Sequence, residues 1–152
     1  GEFTGDTDAP GSISIIDLSA GAEAAAVTAV DFTALDGQEE ALRAQGVRLF
    51  PGKTVSQSLE PESVAVSPDG TRAVVTLQEN NAVAIVDLQT AALVEIVPLG
   101  LKDYSAEGAG LDASDRDGGT NIAPAPVFGL YMPDGIASFE RDGETFYAIA
   151  NE

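Results

Sequence analysis

Apolar residues in this chain gather in short alternating runs separated by polar turns. Ser63 to Ser67 (SVAVS), Arg72 to Leu77 (RAVVTL) and Ala82 to Leu88 (AVAIVDL) read as three consecutive strands. Pro68-Asp69-Gly70 joins the first two, with proline fixing φ and glycine permitting a positive φ. Glu79-Asn80-Asn81 forms the second polar turn. These strands are apolar on both faces, so neighbouring segments must cover the sheet on both sides. Ala92 to Leu99 (ALVEIVPL) alternates and reads as a fourth, outer strand, with Pro98 placing its end at an edge.

Upstream, Ser12 to Leu18 (SISIIDL) echoes Ala82 to Leu88 at a constant offset of 70 residues. The shared Asp-Leu ending predicts a shared role, an apolar strand closed by a carboxylate that accepts turn N–H groups. Ala22 to Phe32 mixes helix-favouring alanines with strand-favouring Val-Thr-Ala-Val; the preferred reading is a strand near Ala26 to Val30. Glu39 to Gln45 (EEALRAQ) predicts a helix, with Asp36 as N-cap, Glu39 completing a capping box and Gly46 at the C′ position. Leu35 and Leu42 fall on one face of it, for packing on the sheet or for meeting a partner. Val47 to Leu59 reads as a loop centred on Pro51-Gly52. Gly100 to Met132 is a long irregular stretch of the kind usually functional or ordered by a ligand.

The last segment, Pro133 to Glu152, repeats the central one. Pro133, Ile136 and Ala137 follow Pro61, Val64 and Ala65 at an offset of 72. Asp142, Gly143 and Glu152 follow Asp69, Gly70 and Glu79 at an offset of 73. A repeat built on four strands predicts a mainly β fold: a β-propeller fragment with four-stranded antiparallel blades and one short helix in an insertion. A solenoid is the alternative. The expected organisation is a flexible lead-in or tag remnant over 1–11, then a partial propeller over 12–152. Within it, a third-position strand spans 12–18, a helical insertion 19–60, a full blade 61–99, a long loop 100–132, and the first two strands of the next blade 133–152. Two blades do not close a ring, so the open edges call for the remaining propeller blades or for further copies of the chain, a homo-oligomer by strand complementation.

Charge and residue counts narrow the chemistry. Against 25 acidic residues stand 7 basic ones, a formal net charge of -18. That balance argues against nucleic-acid partners and favours cations, basic partners or a saline habitat. There is neither cysteine nor histidine, which excludes disulfides, thiolate sites, imidazole ligands and histidine-based triads. Any metal would be a hard, oxygen-bound cation. No apolar run approaches the roughly 20 residues of a membrane-spanning helix, so membrane insertion of that kind is not expected.

Two clusters qualify as candidate cation sites. In Leu111 to Ile122 (LDASDRDGGTNI), Asp112, Ser114, Asp115 and Asp117 crowd oxygen ligands beside two glycines, a set that suits Ca²⁺. The other reading is a loop of side-chain-capped turns with Arg116 paired to a neighbouring aspartate. Glu79 and Glu152 follow equivalent strands, with Asn80 and Asn151 beside them, and form either a cation-binding rim or turn caps. Glu60 and Glu62 flank Pro61 and join the same rim. No nucleophile is evident, because serine and threonine stand without a histidine, a cysteine or a GxSxG elbow.

The run SLEPESVAVSPDGTRAVVTLQENNAVAIVDLQT, with LGLKDYS, GLDASDRDGGTNI and the terminal YAIANE, resembles the choice-of-anchor I family over about residues 11–152. That resemblance implies a secreted or surface-anchored bacterial propeller, of a group labelled alkaline-phosphatase-like or phytase-like and similar to a mesenchyme-specific cell-surface glycoprotein. It implies that the chain is the N-terminal part of a longer propeller, located outside the cytoplasm. The function expected is that of a structural or binding module, with calcium as a stabilising ion. The alternative is part of a metal-dependent phosphoesterase, in which the metal is the Lewis acid.

Overall fold

A computed structural model describes residues 9–152 of the chain. The first eight residues of the expected lead-in lie outside the described residues. The described residues divide into two compact units, one of residues 9–99 and 132–152, the other of residues 100–131.

The first unit is organised on a four-stranded antiparallel meander, β3 (Val64–Val66), β4 (Arg72–Leu77), β5 (Ala82–Asp87) and β6 (Ala92–Pro98), in that spatial order. Two hairpins flank it. β1 (Ser12–Asp17) pairs with β2 (Ala26–Asp31), and β9 (Pro133–Arg141) pairs with β10 (Glu144–Asn151). The fold is mainly β, as the alternation predicts, with sheets of two to four antiparallel strands. Asp142 and Gly143 turn the second hairpin with φ of 55° and 78°, the positive pair that a two-residue type I′ loop requires.

The pairing register repeats along the chain. Val64, Ala65 and Val66 face Val75, Val74 and Ala73. Their counterparts Ile136, Ala137 and Ser138 face Ile149, Ala148 and Tyr147. The offset is 72 on the first strand and 74 on the second, because the later hairpin continues for three more pairs before its turn. Likewise β1 pairs with β2 as β5 pairs with β6 from Ser12 to Ile15 and from Ala82 to Ile85, after which β5–β6 carries a bulge that β1–β2 lacks. The matched carboxylates act alike: Asp17 accepts the N–H of Ser19 at 2.8 Å, and Asp87 accepts those of Gln89 and Thr90 at 3.0 and 2.8 Å. These bonds hold both carboxyls below the usual range, the Ser19 and Thr90 N–H groups being the main cause.

Each face of the meander is covered by a different segment. One face presents Ala73, Val75, Leu77, Ala82, Ala84, Val86 and Ile96. Val30, Ile13 and Ile15 of the first hairpin pack over Ala73 and Val86. The insertion covers the rest, with Phe32, Leu42, Val47, Leu49, Val55 and Leu59 buried against Val75, Leu77, Ala84 and Ile96. Burying each large side chain of this set contributes about 1.5–3 kcal/mol. The opposite face presents Ala65, Val74, Thr76 and Val83, all buried, and β9 packs across β3 and β4 there. The Thr76 hydroxyl donates to the Asp134 carbonyl at 2.9 Å, and the Ser138 hydroxyl donates to the Val66 carbonyl. Burial alternates along the second hairpin: Ile136, Ser138, Tyr147 and Ile149 are half-buried, whereas Ala137, Phe139, Phe146 and Ala148 are exposed.

In the insertion, β2 forms where the strand near Ala26 to Val30 is read, and it pairs with β1. The insertion departs from the sequence reading in two places. Helix α1 (Glu39–Gln45) does form and ends at Gly46 with φ 104°, but Asp36 is not its N-cap, and Gln38 occupies that position without a side-chain bond. Asp36 instead accepts the backbone N–H and the hydroxyl of Ser56, at 2.8 and 3.0 Å. Glu39 accepts the N–H groups of Gly37 and Val55. Both carboxylates therefore serve a second helix, α2 (Val55–Ser58), inside the stretch read as a loop. Its own cap is reciprocal, Thr54 Oγ1 accepting the Gln57 N–H and Gln57 Oε1 accepting the Thr54 N–H, both at 3.3 Å.

In the second unit, a two-residue pairing of β7 (Lys102–Asp103) with β8 (Phe128–Gly129) and a bridge between Leu111 and Ala123 tie together an otherwise irregular chain.

Candidate functional site

The rim where β4 ends and the insertion returns gathers most of the acidic candidates of the first unit. Leu77 leads into a tight turn, Gln78–Asn80, and Asn81 takes φ 51°, a left-handed conformation that asparagine tolerates. Asn80 and Asn81 are fully buried. Asn80 Nδ2 donates to the carbonyls of Ser58 and Arg48 at 2.6 and 2.8 Å, and its Oδ1 accepts the Glu60 N–H at 3.1 Å. Asn81 accepts the Met132 N–H on Oδ1 and the Leu99 N–H on its carbonyl. Sequence reasoning set Asn80 beside Glu79 either at a cation-binding rim or as a turn cap; in the structure its amide is wholly engaged in holding the insertion to the sheet.

Glu79 stays half-exposed. Its Oε2 meets Arg48 Nη1 at 2.9 Å, and the same nitrogen donates to the Glu79 carbonyl at 2.7 Å. Arg48 also lies over the Phe50 ring, 5.2 Å from its centre. Glu152 accepts from Gln78 Nε2 at 2.7 Å, while its N–H bonds the Met132 carbonyl. Glu79 and Glu152 therefore do end at one rim, beside adjacent residues of the same turn. Glu62 is close enough to feel the others: partial burial raises its pKa, and the charges of Asp134, Glu79 and Glu60 raise it further.

In the second unit, Asp112 accepts the N–H groups of Asn121 and Ser114 at 3.3 and 3.4 Å, and Asp117 accepts from Asn121 Nδ2 at 2.9 Å. Ser114 Oγ accepts the Arg116 N–H. Asp115 and Arg116 are almost wholly exposed and 3.9 Å apart. The oxygens of Asp112, Ser114 and Asp117 are thus engaged in capping their own loop. Among the described residues, no three acidic side chains come together closely enough to hold a metal ion.

A shallow cleft of about 530 Å³ lies where β2 and α1 meet β6. Val30, Leu42, Leu93 and Ile96 form its floor, and Asp31, Gln45 and Glu95 its polar lining. Nothing in the chain order signals it, because its walls come from segments far apart in sequence.

With this geometry in place, the match to known families can be read. The model of the choice-of-anchor I domain matches residues 1–152. The chain belongs to the choice-of-anchor I family. No curated protein matches it. The family match agrees with the resemblance carried by the LEPE, QENN, LDASDRDG and ANE segments. In the first unit of this choice-of-anchor I domain, QENN is the stitched turn described above, and Glu152 of ANE rests against it. LDASDRDG is the self-capped loop of the second.

Proposed function

We propose that this choice-of-anchor I domain is a structural and binding module, a β-propeller segment belonging to an extracytoplasmic bacterial protein. One observation carries the reading. The hairpins β3–β4 and β9–β10 share a pairing register, β1–β2 and β5–β6 share another as far as the bulge after Ile85, and the successive sheets stack through equivalent faces. The face of β9–β10 that bears Ile136 and Ser138 corresponds to the face of the meander that bears Val64 and Val66. It packs on the Ala65–Val74 face of the meander. At the other junction, the Ala73–Val86 face of the meander packs on Ile13 and Ile15, the counterparts of Val83 and Ile85. A repeated unit stacked by a repeated face-to-face relation is how blades follow one another in a propeller.

On this reading the acidic rim and the Asp112–Asp117 loop are displayed surfaces. They attract cations and basic partners, and calcium is a stabilising ligand rather than a reagent. NMR contacts between opposing strands test the repeat: the Val64–Val75 and Ile136–Ile149 pairs are expected to give the same cross-strand pattern, and unrelated patterns refute it. Incubation with a chromogenic phosphate ester, with and without Ca²⁺, tests the role. No turnover is expected; metal-dependent turnover would replace the binding module with a phosphoesterase.

A further inference from the structure

The cleft between β2, α1 and β6 belongs neither to the acidic rim nor to the Asp112–Asp117 loop, and residues 29–96 supply all of its walls. Its floor is apolar: Val30, Leu42 and Ile96 are buried and Leu93 is half-buried. Val94, which also lines it, is 49% exposed. Two carboxylates line the cleft, Asp31 from β2 and Glu95 from β6, and no lining residue is basic. We infer that this cleft is a docking site for a partner polypeptide that presents an apolar side chain beside a lysine or arginine. The apolar side chain covers Leu42, Leu93 and Ile96, and the cation lies against Asp31 and Glu95.

Charge is the first reason. Asp31 Oδ1 accepts the N–H and the hydroxyl of Thr33 at 3.0 and 2.7 Å, which holds the side chain in place. These bonds, the hydroxyl first, lower its pKa, so the carboxylate is charged at neutral pH. Its other oxygen accepts no hydrogen bond from the described residues, and Glu95 forms no hydrogen bond or ion pair with them. Two negative groups beside an apolar floor, with no cation of their own, complement a basic partner and disfavour an acidic one.

The wall formed by β6 is the second reason. Ile85 faces Glu95 and Val86 faces Leu93, so Val94 is an extra residue without a partner. In a regular strand only alternate residues share a face. Here four consecutive residues, Leu93 to Ile96, line the cleft. A bulge of this kind re-aims side chains and is frequent beside functional sites. Its counterpart hairpin, β1–β2, runs without one, so the repeat is broken at this cleft.

Shape selects a polypeptide over a small molecule. The volume of about 530 Å³ is in the range of ligand sites, but the cleft is shallow and would leave much of a small ligand in water. A polypeptide continues onto β2, where residues 26–29 are all exposed, and so buries surface beyond the cleft. This site extends the binding-module role to named residues and does not depend on the relation between blades.

NMR titration of the 152-residue chain at low salt, with a short peptide carrying Leu-Lys-Leu between glycines, tests the site. Amide shifts are expected to concentrate at residues 29–35, 42–45 and 91–96. Peptides with glutamate for the lysine, or serine for the leucines, are expected to bind roughly fivefold more weakly or worse. Glu95→Lys, at an exposed position, is expected to weaken the Leu-Lys-Leu peptide by a similar factor, and Asp31→Asn to weaken it in the same direction. Glu140→Lys makes the same change in net charge as Glu95→Lys at an exposed position of β9, and is expected to stay within about twofold of the parent. Shifts absent from the cleft or centred on the acidic rim or the Asp112–Asp117 loop, equal binding of the three peptides, or equal losses for Glu95→Lys and Glu140→Lys overturn the docking site. The mapping uses the unmodified chain, so it decides the question even where a variant fails to fold. A chain without cleft shifts that keeps the repeated cross-strand NMR pattern refutes the docking site alone. Loss of that pattern refutes the blade reading, and the cleft is then decided by the shifts.

Discussion

Replacing Asn80 with alanine tests whether this side chain is a structural stitch or part of a cation-binding rim. Its amide makes three hydrogen bonds, to the Ser58 and Arg48 carbonyls and from the Glu60 N–H, at 2.6, 2.8 and 3.1 Å, with no exposure of the residue. Alanine removes all three and leaves main-chain groups in a site that water does not reach. A net hydrogen bond is worth about 1 kcal/mol, and a buried orphaned group costs about 1–3 kcal/mol. The sum for Asn80→Ala is roughly 3–5 kcal/mol, a large fraction of the ~5–15 kcal/mol that holds a domain folded. For a chain of this length, each kcal/mol corresponds to about 2–4 °C, so the melting temperature should fall by roughly 6–20 °C. Urea denaturation followed by circular dichroism gives the free energy directly, with an unchanged slope as the sign that the folded state is otherwise intact. The loss should be the same with and without Ca²⁺. A loss below about 1 kcal/mol would refute the stitch, given these magnitudes. A loss that appears only when Ca²⁺ is present would return Asn80 to the rim.

Further perturbations probe other elements. Thr54→Ala removes the reciprocal cap of α2 and should cost about 1 kcal/mol in urea titration. Gly46→Val places a β-branched residue at φ 104° and should cost at least ~1–2 kcal/mol, read as a lower urea midpoint at constant slope. Glu62 has a raised pKa, from burial first and then from Asp134, Glu79 and Glu60. The folded state therefore holds this proton more tightly than the unfolded state, so the charged form opposes folding above the raised value and ceases to do so below the ordinary glutamate range. Glu62→Gln should accordingly stabilise at neutral pH, with the gain vanishing in acid; a gain that is independent of pH would contradict the charge argument. Asp69 behaves in the opposite sense. Its bonds from the Ser67 hydroxyl and the Thr71 N–H lower its pKa, so Asp69→Asn should lose stability relative to the parent at neutral pH and match it more closely as pH falls below the carboxylate range, measured by melting curves.

Several features were legible from local pattern. β4 runs over Arg72–Leu77 as the alternation indicates, and β2 falls where Val-Thr-Ala-Val outweighs the alanines. The Asp-Leu strand endings cap their turns at both copies. In the second unit, Asp112 and Asp117 bond within their own loop, so the local reading of side-chain-capped turns describes their geometry. Other features were hidden for an equally physical reason. Thr54-Val-Ser-Gln57 carries a capping-box signature, but beside Pro51-Gly52 it has the local character of a loop, and the short helix holds its place through Asp36 and Glu39. These carboxylates satisfy distant N–H groups instead of starting their own helix, a choice made by packing.

Strand positions, turn chemistry and the internal repeat come from interactions within a few residues, where side-chain alternation and φ preferences act on any conformation of the chain. They are therefore legible from the local sequence. Which face of each sheet is covered, and by what, was decided only in three dimensions. Asn80 looked like its neighbour Glu79 in a polar turn, yet one is sealed under the insertion and the other meets solvent and Arg48. The difference is desolvation: an amide buried away from water must find protein partners, and those partners lie 20 to 32 residues away in the chain.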